Sequence, residues 1–139
     1  MKGIDPDLLA AYIQTTYWVS SQPQPIGLRI GQKSAVLARV LAARRVSRWA
    51  FVTAWNPRSQ LHSHWYNIAR EHALFREICR RGLQWLPGLA VGDGSDWPAE
   101  PAMLILGMSR AEARRLGRRF QQNAVVVGKR DGVAQLVWC

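Results

Sequence analysis

The hydrophobic positions in the middle of the chain switch between a strand period and a helix period. Residues 49–54 and 103–108 are nearly continuous apolar runs, which predict strands buried on both faces. Residues 33–45 and 64–81 instead carry apolar side chains at helical spacing and predict two helices. Gly82 then occupies the position where helices commonly end in a left-handed residue. Strands and helices therefore alternate through the centre of the chain.

Shorter elements precede this region, and one strand within it is interrupted. A short helix is predicted at residues 5–14 and a strand at 15–19. The loop at 20–25 contains two prolines, which exclude a central strand and a helix interior, and a brief strand follows at 28–30. Residues 83–91 are strand-like, but a Pro-Gly pair is expected to break them in the middle.

The last third predicts a capped helix followed by a hairpin. Ser109 and Glu112 have the spacing of a capping box, which marks the start of a helix. Residues 124–127 and 134–138 predict a β-hairpin, with Asp-Gly supplying positive φ values in its turn. We predict one domain over residues 1–139 of the α/β class, or α+β. It would have a single mixed β-sheet, about three helices packed on it and a C-terminal hairpin.

The charge balance leaves two interpretations open. Lysine and arginine number 19, mostly arginine, against nine acids, which gives a net charge of +10. Such a field attracts polyanions, so nucleic acid or a small anionic molecule is a possible partner. Arginine-rich and alanine-rich composition also results from GC-rich codon usage alone. Composition therefore does not decide whether the charge is functional.

Other bulk features narrow the class of protein. No apolar run approaches the roughly 20 residues of a membrane-spanning helix, so no membrane partner is predicted. Two cysteines make neither a disulfide framework nor a zinc site, and they favour a cytoplasmic location. The spacing of His62, His64 and His72 does not match the i, i+4 pair of zinc-binding helices. No metal and no cofactor are predicted, and the oligomeric state stays open.

Polar side chains follow the first buried strand directly, in the stretch "FVTAWNPRSQ" at residues 51–60. Pro57 ends the strand ladder, and Asn56, Arg58, Ser59 and Gln60 gather beside the N-terminus of the next helix. Strand ends of this kind often hold ligands in open α/β sheets, and helix N-termini favour anions. The alternatives are a plain loop, or capping of the helix by one of these side chains.

The helix at 64–81 has two polar residues in its apolar stripe. Asn67 and Glu71 fall on the face defined by the apolar positions Ile68, Leu74, Phe75, Ile78 and Cys79. Buried amides and carboxylates are unfavourable unless they are hydrogen-bonded. This end of the helix must therefore belong to a structural network or line a ligand site. Cys79 is predicted to be an unreactive core thiol.

The capped helix offers a second kind of interface. It carries five arginines with one acid among them, which could contact phosphates: Arg110, Arg114, Arg115, Arg118 and Arg119. A solvated helix face is the alternative interpretation. Seven tryptophans could stack on bases, and Trp97, in a loop, is the best exposed candidate.

Several of these residues also carry a family resemblance. The stretches "TAWNPRSQ", "WPAEP" and "LGRRFQQNAVVVG", together with Asn67, are similar to a family of bacterial proteins called domain of unknown function 3293. "TTYWV" and "IGQKS" are similar to its first strand and to the start of its first helix. The resemblance covers nearly the whole chain and implies no activity or cofactor. The matching polar positions are Asn56, Asn67, Glu100 and Gln122, whereas the family pattern has glycine at the position of Gln121.

Three functions are compatible with these observations. The first is binding of a small anionic or nucleotide-like ligand by Asn56, Arg58, Ser59, Gln60, Asn67, Glu71, Glu100 and Gln122. Glu100 is the one acid or base candidate for catalysis, so whether the protein is an enzyme stays open. The second function is nucleic-acid binding by the arginines of the capped helix. The third is protein interaction without chemistry.

Overall fold

A computed structural model describes residues 5–94 and 96–139. Its elements follow in chain order: α1 (Pro6–Ile13), β1 (Thr15–Val19), β2 (Ile26–Leu28), α2 (Ala35–Ala43), β3 (Arg48–Val52), α3 (His64–Arg80), β4 (Trp85–Gly92), β5 (Glu100–Leu106), α4 (Arg110–Arg119), β6 (Ala124–Lys129) and β7 (Gln135–Trp138). A single 3₁₀ turn, Pro57–Ser59, lies between β3 and α3. The capping box at Ser109 and Glu112 is present and starts α4 as predicted.

The seven strands form one curled sheet in the order β2-β1-β4-β5-β3-β6-β7. All the strand pairings are antiparallel. One isolated parallel bridge, between Ile30 and Ala134, joins the end of β2 to the start of β7. The bridge brings the two edges of the sheet together and so closes the curl. The predicted α/β fold, with helices on one sheet and a C-terminal hairpin, is confirmed.

Alternate residues of each strand face two different cores. Ala50 and Val52 of β3 pack in a cluster with α3 and α4, outside the curl. Trp49 and Phe51 point the other way, into a cluster that contains α2 and side chains from both edge strands. Because residues from both edges meet on this face, it is the concave one. The continuous apolar run of β3 thus reflects burial on both sides, as the sequence predicts.

Two local predictions are wrong. Strand β4 runs unbroken through Pro87 and Gly88, because the ladder with β1 ends at Gly88 and proline has only the β5 ladder beside it. The glycine is required by close packing, since a Cβ there would lie 2.7 Å from the Phe51 ring. In the C-terminal hairpin neither Asp131 nor Gly132 has a positive φ. The connection from β6 to β7 is five residues long, so a two-residue turn is not needed.

The buried face of α3 also differs from the predicted stripe. Asn67, Leu74, Glu77 and Ile78 are its buried residues. Phe75 and Cys79 are exposed, so the prediction of a core thiol at Cys79 is wrong. A step of 100° per residue carries the position after Ile78 off the buried face. The Glu77 carboxylate makes salt bridges to arginines of α3, of its C-terminal end and of α4, which lower its pKa: Arg80, Arg81 and Arg119.

Candidate functional site

The loop after β3 has an unusual backbone. Asn56, Arg58 and Ser59 all have φ values in the left-handed region, at 46°, 57° and 56°. Each such residue other than glycine carries a conformational cost of about 1–2 kcal/mol. Gln121, at the end of α4, is also left-handed with φ 57°, and its carbonyl accepts a 2.8 Å hydrogen bond from the Arg58 N–H. Strained backbone of this kind concentrates at functional sites.

A reciprocal amide pair holds this loop on α3. The Asn56 backbone N–H donates to Asn67 Oδ1, and Asn67 Nδ2 donates to Asn56 Oδ1, both at 2.9 Å. The His62 backbone N–H also donates to Asn56 Oδ1, at 3.0 Å. Because backbone N–H groups only donate, these bonds fix the orientation of both side-chain amides. Ser63, and not one of the loop residues, caps α3.

The fixed Asn56 amide presents its nitrogen to a carboxyl group. Asn56 Nδ2 donates to Glu100 Oε2 at 2.7 Å. Burial raises the pKa of Glu100, while the Asn56 amide and the Trp97 indole partly offset this effect by favouring the ionised form. Thr53 donates to the Pro101 carbonyl at 2.8 Å and so ties the end of β3 to the start of β5, where Glu100 lies. The carboxyl group is therefore held from both strands.

The segment after α4 is tied to the same strand end. Gln122 Nε2 donates to the carbonyls of Trp55 and Phe120, at 3.1 and 3.3 Å. Arg70 of α3 donates to the Ala54 carbonyl at 3.0 Å, and it also donates to the carbonyl of Phe120. Because three separated segments of chain depend on these bonds, the geometry around Gln122 is well determined.

These groups surround a cavity of about 600 Å³ between α1 and the concave face of the sheet. Its wall combines apolar side chains of the sheet with polar groups from α1, the loop after β3 and the segment after α4. The polar and aromatic lining residues are Asp5, Asp7, Tyr12, Thr15, Tyr17, Phe51, Thr53, Asn56, Arg58, Ser59, Gln60, Trp97, Glu100, Gln122 and Asn123. The volume lies within the roughly 300–1,000 Å³ typical of small-molecule sites.

Two tyrosines join α1 to the cavity wall. The Tyr17 hydroxyl donates to the Tyr12 carbonyl at 2.9 Å, and the Tyr12 ring packs edge-on against Trp138 at 5.7 Å. Burial raises the pKa of Tyr12 to about 12, so its phenol is protonated at neutral pH. Asn123 donates to the Ser59 hydroxyl at 2.8 Å on the same side of the cavity. The phenol and the hydroxyl are thus neutral hydrogen-bonding groups.

The structure brings most of the sequence-predicted site residues together. Asn56, Arg58, Ser59, Gln60, Glu100 and Gln122 line the cavity. Asn67 lies behind Asn56 and positions it without lining the cavity. Glu71 is half-buried on α3 and is not among the lining residues, because it lies one turn beyond Asn67. The N-terminus of α3 does not contribute to the wall either, so the expected anion site at that helix end is absent from the cavity.

Sequence reasoning missed the contribution of α1. Tyr12, Asp5 and Asp7 come from an element predicted only as a short helix, and no motif connects them to the loop after β3. Asn123 follows Gln122 directly and could have been found as the next polar residue of that segment. Trp97, at 40% exposed, does line the cavity, but Trp65 at 78% is far more exposed.

The remaining candidates lie outside the cavity. Within residues 5–94 and 96–139, no group of three His, Cys, Asp or Glu side chains is arranged to hold a metal ion. Over the same residues, no helix is long and apolar enough to cross a membrane. The five arginines of α4 are all exposed. Arg119 pairs with Glu77 at 3.3 Å, and Arg110 donates to Gln135 at 3.1 Å.

Comparison with known proteins gives a family. Residues 52–125 match a family described as "Protein of unknown function (DUF3293)". The chain belongs to this family. The matched segment of this DUF3293 member contains β3, the strained loop, Asn67, Glu100 and Gln122, whereas Tyr12 and the rest of α1 lie before it. No curated protein and no solved structure matches the chain.

Proposed function

We propose that this DUF3293 member binds a small nucleotide-like ligand in the cavity between α1 and the concave face of the sheet. The observation that carries the proposal is the Glu100 carboxyl group, held at a cavity of about 600 Å³ by the Asn56–Asn67 pair. A buried carboxyl group and a strained loop both reduce stability, and proteins commonly retain such features for function.

The lining suits a ligand with a planar body and a charged end. Phe51, Tyr12 and Trp97 offer aromatic surface, and the neighbouring polar groups offer hydrogen bonds. Arg58 is the one lining cation among the described residues, and it is exposed at the rim. An anionic group such as a phosphate would therefore bind at Arg58, with the planar part of the ligand deeper inside.

The test is a titration of isotopically labelled protein with adenosine, guanosine, cytidine and uridine monophosphates, followed by amide chemical shifts. Saturable shifts around the cavity are expected for at least one nucleotide. Ala11→Trp, on the exposed side of α1 at the cavity, should abolish them by filling the space. Ala111→Trp, on the exposed face of α4, is the matched control and should bind normally. Absence of binding, or binding unaffected by Ala11→Trp, overturns the proposal.

The arginine face of α4 favours a second candidate, nucleic-acid binding. Arg114, Arg115 and Arg118 are exposed and make no salt bridge with any residue that the structure describes. Unpaired guanidinium groups on one helix can contact successive phosphates. Binding of a labelled duplex at low salt tests this function, and its absence there excludes it.

A further inference from the structure

The side-chain amides beside the cavity have their nitrogens engaged by the protein. Asn56 Nδ2 donates to Glu100 Oε2, and this orientation follows from the His62 N–H bond to Asn56 Oδ1. Gln122 Nε2 donates to two backbone carbonyls, those of Trp55 and Phe120. Carbonyl oxygens only accept, so this amide cannot be reversed without losing both bonds. The amide donors are therefore already used.

Hydrogen-bond acceptors remain at the cavity. Glu100 Oε1 and Gln122 Oε1 accept no hydrogen bond from any residue that the structure describes, and both side chains line the cavity. The carboxylate can accept about four hydrogen bonds, of which Asn56 supplies one. Asp5 and Asp7 add further acceptors at the α1 side of the wall. The polar character of this cavity is thus dominated by acceptors, apart from Arg58 at the rim.

We infer that Glu100 binds a pair of adjacent N–H donors on the ligand, such as the N1–H and exocyclic amine edge of guanine. The inference rests on the proposed function and names the chemical class of its ligand. A carboxylate has two oxygens in one plane and matches two parallel N–H groups, as it does with a guanidinium group. Adenine lacks two adjacent donors, and hypoxanthine has the ring N–H but no exocyclic amine.

The environment of Glu100 makes such a ligand favourable. Burial raises the pKa of this carboxyl group, because the charged form has lost water without gaining enough hydrogen bonds. Two N–H donors from a ligand would replace the missing water and stabilise the carboxylate. A ligand that presents lone pairs at this position would instead face the unpaired oxygens of Glu100 and Gln122 and would be rejected.

The experiment compares guanosine monophosphate with inosine monophosphate, which differs from it only by the missing exocyclic amine. Affinities are measured by calorimetry for the natural chain and for Glu100→Gln, which keeps the size of the side chain but replaces one acceptor by a donor. The guanine nucleotide should bind about 10- to 100-fold more tightly than the inosine nucleotide to the natural chain. Glu100→Gln should weaken guanosine monophosphate binding by a similar factor and remove the preference. Gln135→Glu, an exposed change outside the cavity, should leave both affinities unchanged.

The outcomes separate the inference from the proposed function. Equal affinity of the two nucleotides for the natural chain overturns the inference, and this comparison does not depend on any variant folding. Unchanged guanosine monophosphate affinity in folded Glu100→Gln also overturns it. In both cases, nucleotide binding that Ala11→Trp abolishes would leave the proposed function standing. If no nucleotide binds the natural chain, the proposed function fails and the inference fails with it.

Discussion

Asn56 and Asn67 form a closed pair in which each side-chain oxygen accepts a hydrogen bond from the other residue. Asn67 Oδ1 accepts from the Asn56 backbone N–H and Asn56 Oδ1 accepts from Asn67 Nδ2, at 2.9 Å in both cases. Asn56 is 3% exposed and Asn67 is 2% exposed, so water does not compete for these bonds. The pair locks a left-handed loop residue onto α3 and turns the remaining Asn56 nitrogen towards Glu100.

Removing the Asn67 amide should therefore destabilise the fold. Asn67→Ala leaves the Asn56 backbone N–H buried without an acceptor, which is expected to cost about 1–3 kcal/mol of unfolding free energy. Urea denaturation measures the change. Asn123→Ala is a suitable control, because its bond to Ser59 is exposed and should contribute about 0.5 kcal/mol or less. Equal, small effects of the two substitutions would show that the pair is not a stabilising unit.

Glu100 should give the protein a characteristic dependence of stability on pH. Burial raises the pKa of Glu100 in the native state, so the native protein holds this proton more tightly than the unfolded chain does. Its contribution to stability is full below the unfolded-state pKa and is lost as pH rises through the raised native value. Glu100→Gln does not titrate, so its stability relative to the natural chain should increase from about pH 4 to about pH 8. Urea denaturation of both proteins across this range checks it. Parallel pH profiles would contradict the prediction.

Gln121 occupies a backbone conformation that favours glycine. Its φ is 57°, and a left-handed conformation costs about 1–2 kcal/mol for residues with a Cβ atom. Gln121→Gly should therefore be neutral or should stabilise the protein by about 1 kcal/mol, after the greater flexibility of glycine in the unfolded chain is included. Thermal denaturation gives the measurement.

The control for Gln121→Gly is Arg119→Gly, two residues earlier in the last turn of α4. This position is helical, so glycine should destabilise the protein by about 1 kcal/mol. A destabilisation of the same size from Gln121→Gly would mean that the left-handed turn contributes no strain.

Charge reversal on α4 tests the nucleic-acid alternative. If the arginines contact phosphates, Arg114→Glu with Arg118→Glu should weaken duplex binding and reduce the slope of log K against log salt by about one for each lost contact. Arg39→Glu with Arg44→Glu makes the same change in net charge at exposed positions around α2. Equal weakening by both double substitutions would indicate a general charge effect and no interface at α4.

Cys79 and Cys139 should differ in reactivity, in the order opposite to that expected from sequence. Cys79 is exposed on α3. Cys139 is half-buried beside Gly117, where burial raises its pKa and so reduces the thiolate fraction. Thiol-reactive reagents should therefore label Cys79 first in the native protein. Mass spectrometry of partly labelled protein identifies the site, and faster labelling of Cys139 would contradict the prediction.

Local patterns in the sequence determined most of the secondary structure. The double-sided burial of β3 and the capping box at Ser109 are dictated by neighbouring residues, and the structure has both. The unbroken β4 was missed, because a proline is excluded from a strand only where a partner needs its N–H. That condition depends on where the β1 ladder ends, at Gly88, and this is a property of the assembled sheet.

The candidate site divides in the same way. The sequence by itself identified the polar loop at Asn56 and marked Asn67 as a buried amide that must have a partner, because an unpaired amide is costly in a core. Only the tertiary structure decided that the partner is Asn56, that Glu71 faces elsewhere and that α1 supplies Tyr12 to the wall. These choices depend on how the sheet curls, since the closure between Ile30 and Ala134 shapes the concave face. Hydrophobic periodicity specifies which face of an element is buried, and the curvature of the whole sheet specifies what that face meets.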